Sequence, residues 1–280
     1  MPLIIQILGL PFLACVLMSS ILGYLGTHVL KREVIFIDIA LAQIAAIGAI
    51  AAHLAFEAHS DSATAYLCSF GFVVLTSGFY ALVRSRITQI SLEAVIGISY
   101  AIGAAAALFL VGIAPGGHVH IQSILSGSLL WISRTQIITL LVVFSVTGFI
   151  FYLVRKPVTE ISNGYQNSLN KGARAIFWDF IFYLLLGVVI TISVETGGIV
   201  VVFAFLIIPA TISVIYSSRL FLQLAIIWIS AMTASLLGLL FAYYLDFSIG
   251  PAIALFLGIE LTIAAVVSKF MIRGLVQIKA

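Results

Sequence analysis

Apolar residues along this chain do not alternate with polar ones; they run on in long blocks. Mostly apolar stretches cover 3–26, 34–56, 63–83, 92–112, 134–154, 178–194, 197–217, 220–243 and 246–268. A helix rising 1.5 Å per residue needs about 20 apolar residues to cross about 30 Å of hydrocarbon, so the blocks have the length of membrane spans. The pattern predicts an all-α fold, a polytopic membrane helix bundle of nine transmembrane helices. Eight is the alternative, because 178–194 is short and contains Asp179, and 113–133 is a candidate re-entrant loop. Residues 1–280 read as a single transmembrane domain in the lipid bilayer. One sizeable polar stretch interrupts it, RKPVTEISNGYQNSLNKGARAIFW at 155–178.

Composition narrows the class further. The chain is 63% hydrophobic and 8% charged, with a mean hydropathy of +1.26. Soluble domains run near 45–50% apolar and about 25% charged, so a soluble fold is excluded. The net charge of +3 then points to topology and not to nucleic acid. With the N-terminus outside and the spans alternating, Lys31, Arg32, Arg84, Arg86, Arg155, Lys156, Lys171, Arg174, Arg219, Lys269, Arg273 and Lys279 all fall inside. Only Arg134 of the 13 basic residues falls outside. Basic residues stay on the cytoplasmic side, so the polar stretch and the C-terminus are expected there. Glu57, Asp61, Glu195 and Asp246 fall on the opposite side.

Cys15 and Cys68 both lie in apolar runs and read as inert buried thiols. The first 20 residues lack a basic leader and read as a first span, not a cleaved signal. No GxxxxGK[ST] loop, HExxH pair, GxSxG elbow or CxxCH motif is present, so the chain carries no visible equipment to hydrolyse ATP or peptides and is not expected to be an enzyme. Gly23 near Thr27 and Gly103 near Ala107 suit close helix approach. In the polar stretch, Ile161, Tyr165, Leu169 and Ala173 would form one mildly apolar helical stripe. Gly164, Gly172 and three asparagines favour short helices broken by turns. Two readings stand side by side, a helix that docks into a partner's groove and an ordinary solvated loop.

A few polar residues sit where they are expensive. Asp38 lies within the second run, where an ionised carboxylate costs roughly 2.5–3.5 kcal/mol, so it marks either a pathway or gate, or an acid satisfied by neighbouring hydroxyls. Glu260, in the last run, has the same problem and no obvious partner in its own helix. Pro209 removes a hydrogen bond mid-span, with Thr211 and Ser213 placed to repair the freed carbonyls, as in a pathway helix or a static bend. His118 and His120 form an HxH pair on the outer side, a candidate metal contact that Glu195 or Asp246 would have to complete, or plain surface histidines. His53 and His59 are a weaker set, and His28 reads as loop filler.

Five blocks in order carry a resemblance: GYLGTHVLKREVIFIDIALAQIAAIG at 23–48, SLEAVIGISYAIG at 91–103, HIQSILSGSLLWIS at 120–133, GGIVVVFAFLIIPATIS at 197–213 and DFSIGPAIAL at 246–255. From about residue 20 to 260 the chain resembles the zinc/manganese/iron-type permeases of bacterial ABC transporters. The resemblance implies a homodimeric importer subunit in the inner membrane, moving a divalent metal ion, zinc first and manganese or iron next. It implies an ABC ATPase partner at the cytoplasmic face, an extracytoplasmic metal-binding protein, and no cofactor bound by this chain. The segment at about 155–177 would be the coupling element, with Tyr165, Gln166, Ser168, Leu169, Gly172 and Asp179 as its residues. Gln166 and Ser168 replace the acidic residue and alanine usual there. Gln43 stands where relatives carry a histidine, and joins Asp38, Pro209 and Glu260 as pathway candidates. Asp38 and Gln43 are roughly 140° apart on a helix and cannot make a joint site alone. The alternative from another class is a stand-alone ion-coupled secondary carrier, which would need paired interior acids around broken helices.

Overall fold

The computed structural model describes residues 3–56, 62–86, 89–113, 127, 129–165 and 172–278. They form α1 (Leu3–Arg32), α2 (Ile37–Phe56), α3 (Ala63–Arg86), α4 (Leu92–Ile113), a 3₁₀ turn at Leu129–Trp131, α5 (Arg134–Asn163), α6 (Ala173–Gly197), α7 (Ile199–Tyr216), α8 (Leu220–Leu245) and α9 (Ile249–Ile278). Nine helices among the described residues are long and apolar enough to cross a membrane, which settles nine over eight and makes the chain a multi-pass membrane protein.

The helices sort by how much of each is covered. α1, α6 and α7 are the most buried and form the centre, whereas α4 and α5 present long apolar faces such as Ile102, Phe109, Val146 and Phe149 outward. Such faces are the surface expected of helices whose solvent is lipid. α1 packs on α5, α7 and α8; α2 packs on α3, α4, α6 and α7; α9 closes against α7 and α8. Without water to drive apolar faces together, dispersion between closely approaching backbones must hold the helices. At Gly26 the approach is extreme: any Cβ there would run into the Leu206 carbonyl of α7. At Gly23 a Cβ would meet the Ile227 side chain of α8, and Gly103 of α4 lies against Gln43 of α2, so both predicted small-residue positions are contact points.

Two predictions about the polar stretch are corrected. α5 does not stop near 154 but continues through Pro157 to Asn163, and α6 begins at Ala173, before the predicted 178. The first third of the stretch is thus an extension of the fifth helix, not a separate short helix. Its stripe does not form one surface either, since Ile161 belongs to α5, Tyr165 to a turn and Ala173 to α6. Pro157 lies inside α5, where its missing N–H takes the helical partner from the Leu153 carbonyl. At the other end of α6 only Gly198 separates it from α7; its φ of 80° and ψ of 161° lie where side chains are excluded, which allows a one-residue corner.

Candidate functional site

The ends of α1, α3, α5 and α6 meet beside the polar stretch in a buried polar cluster. Each element brings one chemistry. α1 ends in His28, Lys31 and Arg32, α3 in Arg84, α5 in Ser162 and Asn163, and the first three turns of α6 carry Asp179 and Tyr183.

Asp179 is its centre. Arg32 Nη1 donates to Asp179 Oδ1 at 2.5 Å, and Arg84 Nη1 donates to Oδ2, so one carboxylate bridges two guanidiniums. The side chains of Arg32 and Asp179 are 0% and 2% exposed. Charges so far from water persist only when paired and hydrogen-bonded. The surplus positive charge is spread over rings, with the Arg32 guanidinium 4.0 Å from the Phe182 ring centre and the Arg84 guanidinium 3.5 Å from that of Tyr165.

Tyr165 turns this cluster toward the polar stretch. Arg84 Nη2 donates to its carbonyl at 2.5 Å, and its hydroxyl shares a 2.7 Å hydrogen bond with Tyr183. Desolvation pushes the Tyr165 phenol above its ordinary value against the opposing pull of Arg84, so it stays a neutral hydrogen-bonding group.

A second set of bonds ties α1 to α5. Ser162 Oγ donates to Val158 carbonyl at 2.9 Å and accepts from Arg32 Nε at 2.9 Å. His28 Nδ1 lies 3.1 Å from the same oxygen and completes the set. Lys31 donates to Asn163 Oδ1 at 2.9 Å at the exposed edge of the cluster. His28 is therefore not loop filler: it is buried in α1 among Tyr24, Phe151 and Phe182.

The remaining predicted residues are scattered over other helices. Asp38 sits in the first turn of α2, close to its end and not deep within the span; its Oδ1 is buried with no hydrogen-bond partner among the described residues. Nearby, Glu93 Oε1 accepts from the Phe36 amide at 3.1 Å. Gln43 is half-buried against Gly103. Pro209 is buried in α7, where Thr211 and Ser213 donate to the Ile207 and Ala210 carbonyls, not to the carbonyl that the proline frees. Glu260 finds its partners on the neighbouring helix: Ser230 and Thr233 of α8 donate to its two oxygens at 2.5 and 2.7 Å. α2 and α9 occupy different neighbourhoods, and α7, carrying Pro209, packs against both. Gly172 starts the turn into α6 with φ of 58°.

Gln166, Ser168, Leu169, His118 and His120 lie outside the described residues, as does His59. Among the described residues no group of three or more His, Cys, Asp or Glu stands close enough to hold a metal ion. Glu195 instead accepts from the Tyr66 hydroxyl at 2.6 Å, and Asp246 caps α8 in a left-handed conformation.

Arg32, Arg84, Ser162 and His28 were missed as site residues. Their signal is faint: a basic residue ending an apolar run looks the same whether it faces water or a buried carboxylate. Asp179 inside a run was the one available hint, since an acid there requires a cation from elsewhere.

Comparison with known proteins places this architecture. The family described as the ABC 3 transport family matches residues 5–269. The manganese transport system membrane protein MntB of Synechocystis is 28% identical over 198 residues, covering 71% of this chain and 63% of the relative. A probable iron transport system membrane protein of Haemophilus influenzae is 24% identical over 60% of this chain and 59% of its own length. The chain thus spans under two thirds of the length of these curated relatives. Among solved structures, PsaBC from Streptococcus pneumoniae in complex with Fab superposes with a TM-score of 0.76, covering 93% of this chain and 92% of that one at 19% identity. That likeness shows the fold. The chain belongs to the ABC 3 transport family.

Proposed function

We propose that this ABC 3 transport family member is the membrane-spanning permease of a bacterial importer that moves a divalent metal ion, powered by a separate ATPase. The observation that carries the reading is the family match over residues 5–269, joined to relatives named for manganese and iron transport. Manganese and iron are the cargoes those names favour; zinc stays within the proposed class.

In this reading two copies line a shared path across the inner membrane. The N-terminus lies outside, and the segment 155–177 faces the cytoplasm, where each copy presents it to an ATPase. ATP binding draws the ATPases together and tilts the helices, opening the path first to one side and then to the other. The ion arrives from an extracytoplasmic binding protein near His118 and His120. Asp38, Gln43, Pro209 and Glu260 belong to the path or its gates. Ligation along the way is loose, because a tightly held ion would not leave.

The test is co-expression with the partner ATPase and binding protein in cells lacking their own metal importers. Manganese, iron and zinc accumulation is then measured beside ATPase retention on the purified permease. Replacing 166–171 with glycine and serine should release the ATPase and abolish uptake. Uptake by the permease expressed without any ATPase would refute the reading and favour an ion-coupled carrier.

A further inference from the structure

The described residues on either side of 166–171 are fastened to the same neighbours. Before it, Ser162 and Asn163 of α5 are held by His28, Arg32 and Lys31 of α1, and the Tyr165 carbonyl by Arg84 of α3. After it, Asp179 of α6 is held by Arg32 and Arg84 again. Arg32 thus bonds to the helix that leads into the segment and to the helix that leaves it. The segment's ends cannot shift relative to α1 without breaking bonds that are shielded from water.

α1 in turn has little freedom against its other neighbour. Gly26, six residues before Arg32 and about 9 Å along the helix, leaves no room for a Cβ against Leu206 and Ala210, which flank Pro209 in α7. Close-packed backbones of this kind transmit displacement and do not absorb it. A continuous close contact therefore runs from Ser162 through Arg32 and α1 to the proline-bearing turn of α7.

We propose that Arg32, Arg84 and Asp179 are positioning residues that clasp the ends of α1, α3, α5 and α6 into one rigid body, which carries the motion of the docked ATPase into α1 and on to α7. This rests on the transport reading above and adds a claim of its own. The helix that receives the stroke is α1, which contributes no residue to the segment, and the clasp stays closed throughout the cycle.

The experiment uses the assembled permease–ATPase complex in liposomes and reads metal uptake per ATP hydrolysed. Asp179→Asn keeps the shape of the side chain and removes its charge. It should leave ATPase turnover in place and lower uptake per ATP roughly tenfold, the size of an ordinary coupling between two sites. The exchange Arg84→Asp with Asp179→Arg keeps the charge count and should restore much of the ratio, which a role confined to stability would not predict. Separately, Lys31→Cys and Asn163→Cys, with Cys15 and Cys68 replaced by alanine, allow the outer edge of the clasp to be bridged by a short thiol cross-linker. Bridging should leave uptake within about twofold of the unbridged protein, since a closed clasp need not open. Loss of uptake on bridging would overturn the proposal, and so would Asp179→Asn retaining the wild-type ratio. If Asp179→Asn fails to assemble, the exchange variant and the bridge decide. If the wild-type complex itself moves no metal, the transport reading falls and takes the clasp with it; a coupled wild type beside a coupled Asp179→Asn sinks the clasp alone.

Discussion

Arg32 and Asp179 are 147 positions apart in sequence and 2.5 Å apart in the folded chain, with neither side chain reaching solvent. The pair joins the end of the first helix to the start of the sixth. Arg84 makes it a triad, so the carboxylate is outnumbered by two cations.

Asp179→Ala should therefore be among the most damaging single substitutions in the chain. It leaves two guanidiniums buried together without a counter-charge, a situation that costs about 3–5 kcal/mol. Thermal unfolding of the detergent-purified protein measures it. Replacing all three residues together, with Arg32→Met, Arg84→Met and Asp179→Leu, should recover most of the loss; a triple variant no more stable than Asp179→Ala contradicts the electrostatic account.

Gly26→Val should push α1 away from α7, because the added carbon meets the Leu206 backbone and not a movable side chain. Overpacking of this sort costs about 1–3 kcal/mol or more. Gly9→Ala on the same helix meets nothing within 4 Å and serves as the control. Folded yield by fluorescence-detected gel filtration should fall for the first and hold for the second.

Glu260→Gln keeps both hydroxyl partners within reach while removing the charge, so folded yield should stay near wild type. If the carboxylate lines the path, metal uptake should drop by about an order of magnitude, as expected when an intramembrane charge has a role in transport. Ser230→Ala with Thr233→Val should reduce folded yield more than Glu260→Gln does, because the two substitutions strip a membrane carboxylate of its donors. Unchanged uptake in Glu260→Gln would remove this residue from the path.

Gln43→His introduces an imidazole where the chain has an amide, at a half-buried site facing Gly103. Imidazole favours zinc over manganese. The ratio of zinc to manganese accumulation should rise several-fold, followed by radiotracer uptake in intact cells. A ratio unchanged by the substitution would show that residue 43 does not meet the ion.

Much of this was legible in the linear pattern, and the omissions have a common cause. The run lengths foretold nine helices because a span is defined by hydrocarbon thickness, a one-dimensional criterion. The helix ends were less well placed. α5 runs nine residues past the predicted 154 and α1 six past the predicted 26, since apolar content falls at the membrane surface while backbone hydrogen bonding continues. Glu260 was recognised as costly, but its donors lie some 30 positions away on α8, and no local pattern pairs them. His28 was misjudged because a histidine followed by Lys31 and Arg32 looks like a solvated loop until α5 and α6 cover it.

By itself the sequence determined the solvent of this protein, its helical class and its family, and narrowed the spans to eight or nine. Each follows from local composition or from ordered motifs, and each holds however the helices are arranged around one another. Only the tertiary structure decided which charges are paired. Arg32, Arg84 and Asp179 would be three ordinary interfacial residues in another packing. They form a buried triad because Gly26 brings α1 against α7 and the ends of α3, α5 and α6 close around Arg32. Whether a charge is exposed or buried depends on what covers it, and the covering residues come from helices far apart in the chain.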